Sequence, residues 1–131
     1  MIMAVSGRQG FNAWLGVDLV EADADAGKIV IRAPVRDEIT QHHGYVHGGV
    51  LGCLADTAMA WVAALVAGDV VTQSYSLQFL APAKGEAVVA EGRVIKEGRR
   101  AVSVEARVSS VADDGGETLV ATALGSIWRK S

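Results

Sequence analysis

The sequence has only one cysteine, Cys53, and no group of basic residues beyond Lys96, Arg99 and Arg100. A single cysteine cannot form an internal disulfide, which is typical of a cytoplasmic protein. The formal net charge is -3, and without a basic face a nucleic-acid binder is not expected. The N-terminal MIMAVSGRQG has no charged segment followed by an apolar one, so no secretory signal is predicted.

What the sequence does contain is the composition of an ordinary soluble globular protein. Half of its 131 residues are hydrophobic and 21% are charged. A chain of this length is large enough for one core, and no internal repeat, low-complexity tract or linker divides it. We therefore expect residues 1–131 to form a single domain.

The segment 47–67, HGGVLGCLADTAMAWVAALVA, is the longest apolar stretch of the chain. Between residues 50 and 67 only Asp56 and Thr57 are plainly polar. A helix that is apolar on every side is buried on every side, so this segment is predicted to be a core helix. The apolar run after Thr57 is too short for a membrane span of roughly 20 residues, and membrane association is not expected.

The rest of the chain indicates short strands on both sides of this helix. Tyr75, Leu77 and Phe79 alternate with polar residues, which is typical of a half-buried strand. The predicted elements are a short helix at 11–15, strands at 17–24 and 28–34, and strands at 72–80, 86–96, 102–109 and 118–128. An antiparallel sheet wrapped around the helix would cover most of its apolar surface, which predicts an α+β fold. The uncovered side is expected to meet a second copy in a homodimer.

Asp56 is the residue that most strongly suggests a function. A charge buried without a partner costs several kcal/mol on an order-of-magnitude scale, so its presence needs a reason. A structural ion pair or backbone hydrogen bonds would be one reason. The other is chemistry, since a carboxylate in an apolar pocket can act as a general base or nucleophile. The Gly-Gly pair eight residues upstream and the histidine-containing loop before it favour the second reading.

Gly48 and Gly49 lie where the helix is predicted to begin. They are either ordinary helix-start glycines or a site where a backbone amide, aided by the helix dipole, binds a developing oxyanion. Asp56 lies about 12 Å farther along the same helix, by the helical rise per residue. If both groups act on one carbonyl, Asp56 must therefore face the Gly48 of a partner chain.

Three other groups of residues carry weaker signals. His42, His43 and His47 lack a nearby carboxylate or thiolate in a known ligand arrangement, so no metal is expected. Cys53 lies in the middle of the helix, where a cysteine is usually a small core residue rather than a nucleophile. The basic turn at 96–100 is either solvated or a phosphate contact for a large anionic ligand.

The motif QxxGxxHGG at 41–49, followed by LADTA at 54–58, resembles the hotdog-fold acyl-CoA thioesterases. The most similar type is the PaaI-like and 4-hydroxybenzoyl-CoA thioesterase group. The similarity continues through LQFLAP at 77–82 and GRR at 98–100, and covers residues 11–128.

The resemblance implies a five- or six-stranded antiparallel sheet wrapped around the long helix. It also implies that two chains pair edge to edge, usually within a dimer of dimers, with the active site at the dimer interface.

The resemblance further implies a role for each matching residue. The carboxylate of Asp56 would be the nucleophile or the general base for water, and the Gly48 amide would polarise the thioester carbonyl. Gln41 would orient water or the carbonyl, and His47 would support the loop. A hydroxyl group on the next strand, from Thr72 or alternatively Ser74, would assist the acid across the interface.

The function expected from these observations is hydrolysis of an aromatic or short- to medium-chain acyl-CoA to free acid and CoA, without a cofactor. The expected substrate contacts are Gly49, the residues Leu51, Leu54 and Met59 around the acyl group, and Arg99 and Arg100 at the CoA phosphates. A hotdog dehydratase and a non-catalytic acyl-CoA-binding module are the alternatives. Hydration of a crotonyl-type substrate would identify the first, and binding without thiol release the second.

Overall fold

A computed structural model describes residues 10–130 of the chain, which form one antiparallel sheet and one long helix packed against it. No secretory signal is predicted in the N-terminal ten residues, and the first nine of these lie outside the described residues. The elements are, in order, α1 (Gly10–Leu15), β1 (Asp18–Asp23), β2 (Lys28–Pro34), a 3-10 turn (Asp37–Ile39), α2 (Gly48–Ala67), β3 (Val70–Phe79), β4 (Ala87–Glu97), β5 (Ala101–Val111) and β6 (Glu117–Arg129).

The sheet contains six strands in the order β1-β2-β4-β5-β6-β3, and neighbouring strands are antiparallel. The order of elements expected from the sequence is confirmed, as is an antiparallel sheet around one central helix. Four strands extend beyond their predicted bounds, since β3 begins at Val70, β4 continues to Glu97, β5 to Val111 and β6 to Arg129. In β5 the alternation of buried and exposed residues places Val102, Val104 and others on the inner face.

Helix α2 packs its most apolar side into the concave face of the sheet. Leu54, Ala58, Met59 and Val62 are completely or almost completely buried there. At Gly92 of β4 the two backbones come so close that an added Cβ would lie 2.5 Å from the carbonyl oxygen of Ala58. The helix is long and apolar enough to cross a membrane by length and composition, but 56% of its apolar window is buried in the fold. It is the core helix that the sequence predicts.

The expectation that α2 is buried on every side is wrong for a single chain. Four residues that share one side of α2 are only half-buried: Cys53, Asp56, Thr57 and Ala60. We call these four residues the open face of α2. It exists because the sheet of one chain covers only part of the helix and ends at the edge strand β3. Asp56 and Thr57, the only plainly polar residues of the segment between 50 and 67, both lie on this face, and they are the signal in the sequence that could have identified it.

Candidate active site

Asp56 lies on the open face of α2, two turns after the helix begins. Its Oδ1 atom accepts a hydrogen bond from Oγ1 of Thr72 on β3, with 2.7 Å between the two oxygens. Among residues 10–130, no basic side chain forms an ion pair with Asp56. The structural ion pair that would explain the acid without chemistry is therefore not made by the part of the chain that the structure describes.

A β-bulge on β3 determines which hydroxyl reaches Asp56. The pairing with β6 shifts register between Thr72 and Ser74, so that Thr72 faces α2. Ser74 instead lies in a shallow groove with Ser103 and Ser126 on the sheet. The structure thus brings Thr72, not Ser74, to the acid. The bond is made within one chain, so the expectation that the hydroxyl acts on the acid across an interface is corrected.

The first turn of α2 presents one unused backbone donor. His47 is the N-cap residue, and its Nδ1 atom accepts a hydrogen bond from the Gly49 amide at 2.8 Å. An accepting Nδ1 carries no proton, so the proton of the ring lies on Nε2. The Gly49 amide is thereby occupied within the chain, and the expectation that Gly49 contacts the substrate stays a prediction. The Gly48 amide has no acceptor among residues 10–130, and it lies at the positive end of the helix dipole.

A cleft of about 410 Å³ lies beside the start of α2 and is lined by Gln41, Gly48, Leu51 and Phe79 among others. The Oε1 atom of Gln41 accepts a hydrogen bond from the backbone amide of His43, which fixes the side chain in the loop. An added Cβ on Gly48 would lie 3.1 Å from Cζ of Phe79. The structure therefore brings together three site residues that the sequence predicts, Gln41, Gly48 and Leu51. It does not bring Asp56 into this cleft.

Asp56 lines a separate groove of about 440 Å³ between α1 and α2. One wall is the open face of α2, and the other is the beginning of α1 as described. The groove is lined by Gly10, Phe11, Asn12, Cys53, Asp56, Thr57, Ala60 and Trp61. Phe11 and Asn12 were not identified as site residues from the sequence, because nothing in the periodicity of 11–15 indicates which side of this short helix faces α2.

Two of the expected acyl contacts are corrected by their burial. Leu54 is 1% exposed and Met59 is fully buried, and both pack under the sheet rather than lining the groove beside Asp56. The Sδ atom of Met59 lies 3.0 Å from the position that a Cβ on Gly125 would take. Leu54 and Met59 lie on the side of α2 that faces the strands, whereas the groove is formed by the open face.

The basic turn lies at the end of the sheet where α2 ends. The backbone amide of Arg129 donates to the carbonyl of Arg100, and the amide of Lys130 donates to the carbonyl of Asp69, just after the helix. Arg99 and Arg100 are exposed. A helix of 20 residues is about 30 Å long, so the turn is far from the Gly48 of its own chain. A contact with CoA phosphates remains a prediction.

The Asp56 carboxylate influences two neighbouring ionisable groups. Burial raises the pKa of the Cys53 thiol, and the negative charge of Asp56 raises it further. Burial also raises the pKa of the Tyr75 phenol, with smaller contributions from Asp56 and Cys53. The hydroxyl oxygen of Tyr75 lies 3.4 Å from the position that a Cβ on Gly52 would take. Cys53 is thus kept in its thiol form, which does not favour a role as nucleophile.

The histidines of the loop before α2 are not arranged as a set of metal ligands. The rings of His42 and His43 contact each other at an angle of 44°, with centroids 4.0 Å apart. Within residues 10–130, no three His, Cys, Asp or Glu side chains are grouped so that they could hold a metal ion. The expectation of no metal and no cofactor stays a prediction.

Comparison with known proteins gives consistent matches. The family model of the thioesterase superfamily matches residues 43–117. A protein of Saccharolobus solfataricus named as an esterase is 30% identical over 112 residues, which are 84% of this chain and 77% of that protein.

Solved structures extend the similarity over nearly the whole fold. A thioesterase family protein from Silicibacter pomeroyi has a TM-score of 0.91 and 26% identity, over 97% of this chain and 93% of that one. The phenylacetic acid degradation protein PaaI from Thermus thermophilus, in a mutant form, has a TM-score of 0.80 and 28% identity, over 92% of this chain and 99% of that one.

Proposed function

The chain belongs to the thioesterase superfamily and is a thioester hydrolase with the hotdog fold of the PaaI type, and from this premise we propose that it hydrolyses acyl-CoA thioesters at a site formed by two copies of the chain. The observation that carries the proposal is the Asp56 carboxylate, which lies in an open groove, is held by Thr72 and has no ion-pair partner among residues 10–130.

Asp56 is proposed to be the group that begins the hydrolysis. Thr72 fixes one carboxylate oxygen by a bond of 2.7 Å. The other oxygen accepts no hydrogen bond from residues 10–130, and it is available to attack the thioester carbonyl or to remove a proton from water. As a base, Asp56 accepts the water proton while the water oxygen bonds to the acyl carbon. The carbon–sulfur bond then breaks, and the proton passes to the departing CoA thiolate.

Gly48 is proposed to stabilise the negative charge that develops on the carbonyl oxygen. Its amide is an unused donor at the N-terminus of a long helix, which is the arrangement that favours an oxyanion. Gly48 and Asp56 are about 12 Å apart along one rigid helix, and a carbonyl group cannot contact both. The Gly48 that serves an Asp56 therefore belongs to a partner chain.

The pairing of two β3 strands provides the required geometry. β3 is an edge strand of ten residues, and Phe79, which lies over Gly48, is 58% exposed. Long exposed edge strands tend to pair with another strand. In an antiparallel pair centred on Ser76, the partner's Phe79 lies beside Thr72, because the bulge adds one residue on that side of the centre. We propose this register because it would bring the partner's Gly48 to Asp56.

The substrate is proposed to lie with its acyl group in the groove between α1 and α2. The walls contributed by Phe11, Ala60 and Trp61 are apolar and suit an aromatic or a short- to medium-chain acyl group. The CoA portion would extend outwards, with Arg99 and Arg100 as candidate phosphate contacts. A cytoplasmic location and a dimer of dimers complete the proposal.

The direct test is the replacement of Asp56 by Ala or Asn, with release of free thiol measured over a panel of acyl-CoAs. We expect turnover to fall at least about a hundredfold, the scale of a lost base or nucleophile, while sedimentation shows an unchanged oligomer. The matched control is Asp25→Asn, an acid in the exposed turn between β1 and β2, which should leave turnover unchanged. Near-normal hydrolysis by Asp56→Ala, or hydration of crotonyl-CoA without thiol release by the unmodified protein, would rule out the assignment.

A further inference from the structure

The C-terminal end of α1 is completed by a side chain from a distant part of the chain. The last four carbonyl groups of a helix accept no hydrogen bond from the helix itself. The backbone amides of residues 16–17 donate to the carbonyls of residues 12–13. The two remaining carbonyls are bound by Arg36, whose Nη2 atom donates to Trp14 O at 2.6 Å and whose Nη1 atom donates to Leu15 O at 3.3 Å. A cation at this end of a helix also interacts favourably with its dipole.

Arg36 is connected to the groove through two aromatic rings. Its guanidinium lies 4.2 Å from the ring centroid of Trp14, which is the distance of a cation–π contact. The ring of Trp14 is 6.2 Å from that of Phe11. Phe11 lines the groove that contains Asp56. Arg36 itself is oriented by Glu38, with 3.7 Å between Nε and the carboxylate.

The aromatic side chains of α1 are less buried than Asn12 and Leu15, the two residues that anchor the helix. Leu15 is fully buried and anchors the last turn, but Phe11 and Trp14 are each about half exposed at 52% and 53%. The hydrogen bonds and the ring contact of Arg36 therefore help to hold Trp14 and, through it, Phe11 as the wall of the groove.

We propose that Arg36 is a positioning residue for acyl binding, because it holds the end of α1 so that Phe11 encloses the acyl group beside Asp56. This inference rests on the proposed function, since it assigns the acyl group to the groove. Arg36 does not line the groove and acts only through α1. The pair of Asp56 and Thr72 lies on α2 and β3, so a change at Arg36 leaves the reacting groups in place.

The consequence is an effect that grows with the size of the acyl group. An acetyl group is too small to contact the wall formed by Phe11, whereas a hexanoyl group extends along it. Loss of Arg36 should raise KM for hexanoyl-CoA about tenfold, the scale of one lost charge-assisted hydrogen bond. KM for acetyl-CoA and kcat for both substrates should change by less than about twofold, because the step at the carbonyl does not involve α1.

The experiment compares Arg36→Met, Arg36→Lys and a control in steady-state kinetics with these two substrates. Lysine donates hydrogen bonds but has no planar group to stack on Trp14, so Arg36→Lys should restore only part of the affinity. The control is Arg32→Met, which removes another partly exposed arginine, one that pairs with Glu86 and forms no hydrogen bond with α1. It should behave as the unmodified protein does.

Hydrogen exchange provides a readout that does not depend on activity. In Arg36→Met, amides of residues 12–17 should exchange faster, while those of 51–66 in α2 should be unchanged. If Arg36→Met does not fold, Trp14→Leu removes the stacking contact and is measured in the same way. Equal changes for the two substrates, a loss confined to kcat, or unaltered exchange at 12–17 would overturn the proposal.

The same experiments separate this inference from the proposed function. If the unmodified protein releases no thiol from any acyl-CoA, the proposed activity is wrong, and calorimetric binding of hexanoyl-CoA replaces KM as the measure of groove affinity. Weaker binding to Arg36→Met then supports the role of Arg36, and equal binding overturns it. If the unmodified protein does not bind hexanoyl-CoA at all, both proposals fail.

Discussion

The hydrogen bond between Thr72 and Asp56 allows a sharp test of how the acid is held. Thr72→Val removes the donor and retains the β-branched shape that fits the strand. Hydrogen bonds to charged groups contribute about 1.5–3 kcal/mol, which corresponds to roughly 10- to 150-fold in a rate or affinity. Because the contact is only partly buried, water can replace some of the lost bond. We therefore expect kcat/KM to fall by about tenfold, near the lower limit of that range.

The assay is release of free thiol from a good acyl-CoA substrate, with three comparisons. Thr72→Ser keeps the hydroxyl and should restore most of the activity. Thr118→Val makes the same substitution at an exposed position of β6 and should have no effect. In a protein that already carries Asp56→Ala, Thr72→Val should reduce the residual rate by less than about twofold, because the group it acts on is gone.

Three outcomes would refute this reasoning about Thr72. Unchanged kcat/KM in Thr72→Val would mean that the bond does not hold Asp56 in its reactive position. An equal loss for Thr72→Val with and without Asp56 would mean that the hydroxyl acts on something other than the acid. A defect in Thr72→Ser as large as that in Thr72→Val would point to packing rather than hydrogen bonding.

Two further predictions concern the proposed pairing and the charge at the site. In a protein with Cys53 replaced by Ala, Ser76→Cys should form a disulfide-linked dimer on mild oxidation, because opposing residues at the centre of an antiparallel pair lie close enough for a disulfide. Ser103→Cys, in the middle of the sheet, should not form one. Equal cross-linking of both variants would contradict the register. Asp56 raises the pKa of the Cys53 thiol, so Asp56→Asn should lower it and move the pH profile of Cys53 alkylation to lower pH, with burial still keeping the pKa above its usual value. An unmoved profile would show that the carboxylate does not act on the thiol.

The architecture was predictable because its signals are periodic and local. Apolar residues on every side of 47–67 indicated a core helix, and alternation at 74–79 indicated a half-buried strand. The turns were predictable for the same reason, since glycine and acidic residues mark them directly. The sequence indicated the coverage of the helix only weakly, because Asp56 and Thr57 mark the open face while alanine and cysteine are compatible with either a buried or an open face.

The site was harder to predict because it depends on a departure from periodicity. Continuing the alternation of Ser74 and Ser76 back along β3 would place Thr72 on the same face as those serines and away from the helix. The bulge between Thr72 and Ser74 reverses this and turns the hydroxyl towards Asp56. Arg36 lies outside the helices and strands, where no pattern indicates that it completes the end of α1.

In the proposed mechanism, the position of the two key groups on one helix would leave a single chain without a complete site. The Gly48 amide must lie at the first turn, since only there does a helix have an unpaired donor and the positive end of its dipole. Asp56 must lie farther along, where Thr72 can hold it and the groove can admit an acyl group. The rigid helix fixes these groups about 12 Å apart. In a two-fold dimer each α2 would then contribute its amide to one site and its acid to the other, so that two equivalent sites arise from one interface, and neither exists without it.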